Sequence, residues 1–156
     1  MAEIARGRWT HAHTGELTVF LIGMRVNRFW RPDAWWPAFT AMLPMLAELS
    51  ADSESGLLGY RLLIGWRGPT IVQYWRSPEH IYRYASEAEA KHRPAWSAFN
   101  RRTRKVPGAV GVWHETYRVA GAESVYVDLP PMGLAAATAS RPVTGRLNSA
   151  ADRLAG

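Results

Sequence analysis

An α+β fold in the order strand–helix–strand–strand–helix–strand is what this sequence predicts, and three observations carry that prediction. β-branched and aromatic runs occupy four segments, and two other segments carry the signals of helices. Turn residues mark the changes between them, at Pro32-Asp33, Arg67-Gly68-Pro69 and Val106-Pro107-Gly108. The chain has 156 residues, the size of one domain, and 47% of them are hydrophobic, enough for a core.

Each element has its own reason. Residues 1 to 15 are poor in hydrophobic side chains and are read as an N-terminal arm. His11 and His13 share one face of an extended chain there, and a pair of histidines without a third ligand favours solvation over a metal site. Leu17 to Val26 is a strand. A helix is expected from about Ala34 to Ser50, where Trp35, Phe39, Met42, Leu46 and Leu49 recur at three- and four-residue steps. Pro37 suits a first turn, whereas Pro44 should kink that helix or end its first segment.

Leu57 to Trp66 and Thr70 to Trp75 read as two strands of a hairpin. Ser77-Pro78-Glu79 is a helix start, with serine as the cap and an acid in the first turn. A pause is expected near Lys91 to Pro94, because the residue before proline disfavours helix. Ala109 to Val119 alternates, placing Val110, Val112, His114 and Thr116 on one face and Gly111, Trp113, Glu115 and Tyr117 on the other. Ser124 to Leu129 is a short extended segment. Residues 130 to 156, rich in Ala, Pro, Gly, Ser and Thr, are read as an extended C-terminal arm or tail with room for one short helix, and not as a second domain.

The expected organisation is therefore an arm (1–15), a ferredoxin-like βαββαβ domain (16–129) and a tail (130–156). Such a sheet carries helices on one face only. Covering its other face with a second copy gives a homodimer, a dimeric α+β barrel.

Composition narrows the function classes. There is no cysteine, so disulfides, thiolate metal sites and a cysteine nucleophile are excluded. No apolar run approaches the about 18 residues of a membrane span, and Leu17 to Met24 lacks the flanks of a signal peptide. A soluble cytoplasmic protein with no membrane partner is expected. The formal charge is +6, with its densest cluster at Arg101, Arg102, Arg104 and Lys105. Cations at the end of a helix are ordinary dipole partners, and no nucleic-acid-binding motif accompanies them, so no nucleic-acid partner is expected. Arg25, at the end of the first strand, is read as a surface charge within reach of an anionic group. No phosphate-cradling glycine loop and no Gly-x-Ser-x-Gly elbow occurs.

Ser77-Pro78-Glu79-His80-Ile81-Tyr82-Arg83-Tyr84-Ala85, Lys91-His92-Arg93-Pro94-Ala95, Val112-Trp113-His114-Glu115-Thr116-Tyr117, Val125-Tyr126-Val127 and Met132-Gly133-Leu134 carry a resemblance. The chain resembles a small bacterial monooxygenase-like family of unknown function over most of its length. Over roughly residues 77 to 134 it also resembles the C-terminal half of the aldoxime dehydratases, haem enzymes of dimeric α+β-barrel type. The second resemblance implies haem b bound through His92 as the metal ligand. Such a ligand needs a wide apolar pocket, for which the aromatic residues Trp96, Phe99, Trp75 and Tyr84 are the expected supply. The resemblance also implies His114 as the catalytic group that moves a proton to a leaving hydroxyl. The distal serine and arginine of those enzymes have no counterpart that can be placed in this sequence.

Three functional expectations follow. The first is a haem-dependent enzyme acting on N–O or related bonds of a small organic substrate. The second is an α+β-barrel monooxygenase without a cofactor, with His114 as its base. The third is a haem- or small-ligand-binding protein with no turnover. Each histidine also has a plain structural reading: His92 as a surface residue in a charged stretch, His114 as a core residue bonded to a polar neighbour. Glu115 points away from His114, so adjacency makes no dyad. Tyr74, Tyr117 and Tyr126 are read as packing residues able to donate to a substrate oxygen.

Overall fold

In the computed structural model, residues 3–87 and 92–155 are described, without the side chains of His92 and Ala95. Strand β1 (Ala5–His11) precedes the core, and β2 (Thr18–Val26) opens it. Helix α1 (Pro32–Ala51), the hairpin β3 (Leu57–Gly65) and β4 (Gly68–Trp75), helices α2 (Pro78–Ser86) and α3 (His92–Lys105) and strand β5 (Val110–Arg118) complete it. β6 (Tyr126–Leu129), α4 (Gly133–Ala137), β7 (Ser140–Pro142), a 3₁₀ turn and α5 (Ala150–Ala155) follow.

The core sheet is antiparallel, in the order β3-β4-β2-β5. Its first strand lies between its third and fourth, as in a ferredoxin-like α+β fold. β4 shows how the sheet is sided: Pro69, Ile71, Gln73 and Trp75 are buried, and the residues between them only partly so. A strand exposes alternate residues to opposite faces, so the buried row marks the side carrying the helices. Gln73 is polar within that row, and its side-chain oxygen accepts the indole N–H of Trp75 at 2.9 Å. Each group satisfies the other's desolvated polar atom.

Two clusters form the core on the helix side. Met24, Val26 and Val110 pack against Trp35, Ala38, Phe39 and Phe99. Leu49, Trp75 and Ile81 pack against Phe20, Leu57 and Tyr84. Helix α1 spans both, and this explains why it continues through Pro44, where the sequence allowed its first segment to end. Pro44 forfeits one backbone hydrogen bond. Phe39 before it and Leu49 after it are held by the sheet, Leu46 is buried as well, and tertiary burial outweighs the local penalty.

The expected helix start at Ser77 holds, with a different bond. The Ser77 hydroxyl lies 3.0 Å from Nδ1 of His80 and makes no cap to the backbone. The pause expected near Lys91 to Pro94 is not found at residues 92–94, which form the first turn of α3, and Lys91 lies outside the described residues.

The chain ends build a second, three-stranded antiparallel sheet in the order β6-β1-β7. Residues 5 to 11, expected within a solvated arm, are its central strand. The register slips by one residue between Ala5 and Arg8. Gly7 sits in this bulge with φ +83° and donates its N–H to the Asp128 carboxylate at 2.8 Å. A positive φ at a bulge is where glycine costs least. His11, read from the sequence as solvated, is only 8% exposed. No helix among the described residues is long and apolar enough to cross a membrane.

Helix α4 lies on the sheet face opposite α1, against β3. A Cβ on Gly59 would come within 2.8 Å of the Ala137 backbone, so the absence of a side chain there lets the helix approach. Gly59→Val should push α4 off the sheet and lower the unfolding free energy by about 1–3 kcal/mol. Denaturant unfolding and faster amide exchange over residues 133–137 check this.

Candidate functional site

β2 and β5 pair in unbroken register from Thr18↔Arg118 to Val26↔Val110. His114 stands opposite Ile22, so it shares the helix-side face with Phe20, Ile22 and Met24, as the alternation predicts. β5 is an edge strand, and beyond Gly111 its residues are exposed on both faces. His114 is therefore exposed, with its ring centroid 5.6 Å from that of Phe20 at a 33° tilt. It has no hydrogen-bond or ion-pair partner among the described residues. The reading of His114 as a buried core residue with a polar neighbour does not describe this position.

Phe20 links His114 to the rest of the site. It also packs against the Leu49–Trp75–Ile81 cluster, as Tyr84 does. Tyr84 donates its hydroxyl to the Glu48 carboxylate at 3.1 Å. Burial, then the hydrogen bond and charge of Glu48, raise the pKa of this phenol above the ordinary tyrosine range. A cavity of about 620 Å³ opens here between the end of α1 and α2, with Tyr84, Glu48, Glu54 and Arg83 in its wall. The helix side thus offers an unpartnered imidazole above an aromatic ring, and a neutral phenol held by a carboxylate.

The haem expectation fits these residues poorly. Of the four aromatics expected to form one pocket, Phe99 packs against Met24, Val26 and Val110, and Trp96 stacks on it at 5.4 Å. Trp75 and Tyr84 belong to the other cluster. Trp96 is 54% exposed, and the side chain of His92 lies outside the described residues. A haem ligand on a rigid element needs a wide apolar pocket before it, and the four aromatics do not assemble one.

The remaining polar candidates are held elsewhere. Arg25 donates to the Asn27 side chain at 3.1 Å. Tyr117 donates to Glu115 at 2.8 Å on the face opposite the helices. Tyr74 and Tyr126 converge beside Gly133, and the Tyr126 hydroxyl accepts the Ala135 N–H at 3.4 Å, so they hold α4 in place. Burial and the neighbouring Tyr126 raise the pKa of Tyr74. Sequence reasoning missed the Tyr84–Glu48 pair, because its members are far apart in the chain and join only when α2 packs against α1.

Comparison with known proteins adds the family. Residues 17–134 match the model of the monooxygenase af470-like family. The chain belongs to this family. No curated protein matches. Several solved structures are similar in outline. SnoaB, a cofactor-independent oxygenase from Streptomyces nogalater, has 10% identity and a TM-score of 0.43 over 67% of this chain and 94% of its own. A putative antibiotic biosynthesis monooxygenase from Caulobacter crescentus has 14% identity and a TM-score of 0.45, covering 64% and 89%. A dimeric protein of ferredoxin-like fold from Bacteroides fragilis has 7% and 0.41, covering 65% and 96%. At these values they inform neither mechanism nor substrate. The family is monooxygenase-like, and neither its description nor these structures carries the resemblance to aldoxime dehydratases.

The Tyr84–Glu48 pair has a measurable pH signature. A phenol with a raised native pKa stays neutral in the folded chain while the unfolded chain ionises from about pH 10. Its contribution to stability should be constant below pH 10 and fall as pH rises towards the native pKa. Tyr84→Phe should remove that part of the alkaline decline and lower stability at neutral pH by about 1 kcal/mol, read by denaturant unfolding across pH 7–11.

Proposed function

We propose that this member of the monooxygenase af470-like family oxidises a small organic substrate with molecular oxygen, without a bound cofactor, using His114 as the base. The observation that carries the reading is the position of His114 on the helix side of an edge strand. Its imidazole is exposed, lies against Phe20 and has no competing partner among the described residues. Imidazole changes charge near neutral pH and can take a proton there.

A substrate that supplies its own electrons must form a stabilised carbanion. This points to an aromatic molecule with an acidic methylene beside a carbonyl or phenol. His114 removes a proton from that carbon. The carbanion gives an electron to oxygen, and the radical pair joins as a peroxide. Loss of water leaves a carbonyl, so R₂CH₂ and O₂ become R₂CO and H₂O. Phe20 offers a face for the aromatic ring, and Tyr84 a neutral hydroxyl at the neighbouring cavity.

Dithranol, an electron-rich anthrone, is a suitable probe. Oxygen uptake should proceed in chelator-treated buffer without added cofactor, and His114→Ala should lower kcat/KM by about 10²- to 10⁴-fold with unchanged circular dichroism. Uptake that requires added hemin, with a Soret band lost in His92→Ala, would overturn this reading and restore the haem enzyme.

We also propose a homodimer through the face opposite the helices. α4 covers its β3 side, while β2 and β5 present half-buried Val19 and Leu21 beside exposed Trp113 and Tyr117, at 38% and 51%. An apolar strip of this kind is stabilised by burial against a second copy. Sedimentation velocity should give a dimer at micromolar concentration, and Leu21→Arg should give a folded monomer.

A further inference from the structure

A second cavity, of about 300 Å³, lies between the N-terminal strand and the C-terminal helix. His11, His13, Arg141 and Arg153 contribute to its wall, and Val119 and Leu154 give it an apolar side. We propose that it is a binding site for a small organic anion, a carboxylate on a compact apolar body.

The donors are already arranged. His11 is buried, and its Nδ1 lies 2.8 Å from Oγ of Ser124. That same oxygen accepts the His11 backbone N–H at 3.1 Å, so its own proton is available for Nδ1. Where the Ser124 hydroxyl donates to Nδ1 and not to Thr10 Oγ1 at 3.5 Å, the ring proton sits on Nε2 and that nitrogen is a donor. His13 is anchored through Nε2 to the Glu16 carbonyl at 3.1 Å.

One positive charge on this wall, that of Arg141, is left unpaired among the described residues. Glu123, the carboxylate beside the cavity, is taken by Arg153, whose Nε and terminal nitrogen lie 2.6 and 2.5 Å from it. Arg153 also donates to the carbonyls of Leu147 and Asn148. Arg141 has no hydrogen-bond or ion-pair partner among the described residues. Burial, then the charges of His13 and Arg141, lower the pKa of His11, against a weaker opposing effect of Glu123. An anion between His11 and Arg141 would neutralise this excess, and a guanidinium binds a carboxylate through two parallel hydrogen bonds. The volume is at the lower end for small-molecule pockets, which limits the ligand to a single ring or a short chain.

The four polar residues lie outside residues 17–134, the segment shared with the family. The polar donors are thus contributed by the chain ends, set against a wall from the shared segment, and the site is separate from the chemistry proposed at His114.

Benzoate and its neutral analogue benzamide test this by calorimetry, with the histidine C–H resonances followed by proton NMR. Benzoate should saturate the wild type, raise the apparent pKa of His11 and leave the His114 resonance in place, while benzamide should not bind. Arg141→Gln, an exposed substitution that the fold tolerates, should weaken benzoate at least about fivefold, the equivalent of one ion pair. Failure to saturate, equal binding of benzamide, unchanged affinity in Arg141→Gln, or a shift confined to His114 would each overturn the proposal.

Discussion

The register of β2 against β5 is the constraint on which the rest of this structure depends. Nine successive pairs hold it, and β2 is paired on its other side by β4 as well. Side chains on a strand alternate faces, so a slip of one residue would exchange the whole helix-side row for the opposite one. Trp113 would then meet the helices, and His114 would turn to the open face. The register is fixed by what each face can bury: Met24, Val26 and Val110 go under α1 and α3, while Gly23 leaves space for the Trp113 indole on the other side.

From that constraint the two faces acquire different roles. The helices reach across the middle of the sheet and leave β5 exposed past Gly111. An imidazole in the covered zone would need a bonding partner, whereas at the uncovered edge it remains available. The opposite face is divided, with α4 seated on β3 and an aromatic and aliphatic strip left over β2 and β5. The proposed catalytic and association surfaces thus lie on opposite faces of one sheet and draw on different side chains.

The chain ends change the character of the molecule more than their composition suggests. A seven-residue strand beginning at Ala5 brings His11 and His13 to the same cavity as Arg141 and Arg153, which arrive from the far end of the sequence. Backbone pairing with β6 and β7 supplies the reason. Strand pairing satisfies backbone hydrogen bonds whatever the side chains, so a segment poor in hydrophobic residues can still be an ordered central strand.

The features legible from the chain alone are local and periodic. The core elements, their order and the face shared by Val110, Val112 and His114 were all legible, because alternation and turn chemistry act between near neighbours. The continuity of α1 through Pro44, the division of the aromatic residues between two clusters and the burial of His11 were decided by tertiary structure alone. Each depends on contacts between residues far apart in the chain, such as Tyr84 with Glu48 or His11 with Ser124. No periodicity encodes such a contact, because its energy exists only once the elements are packed.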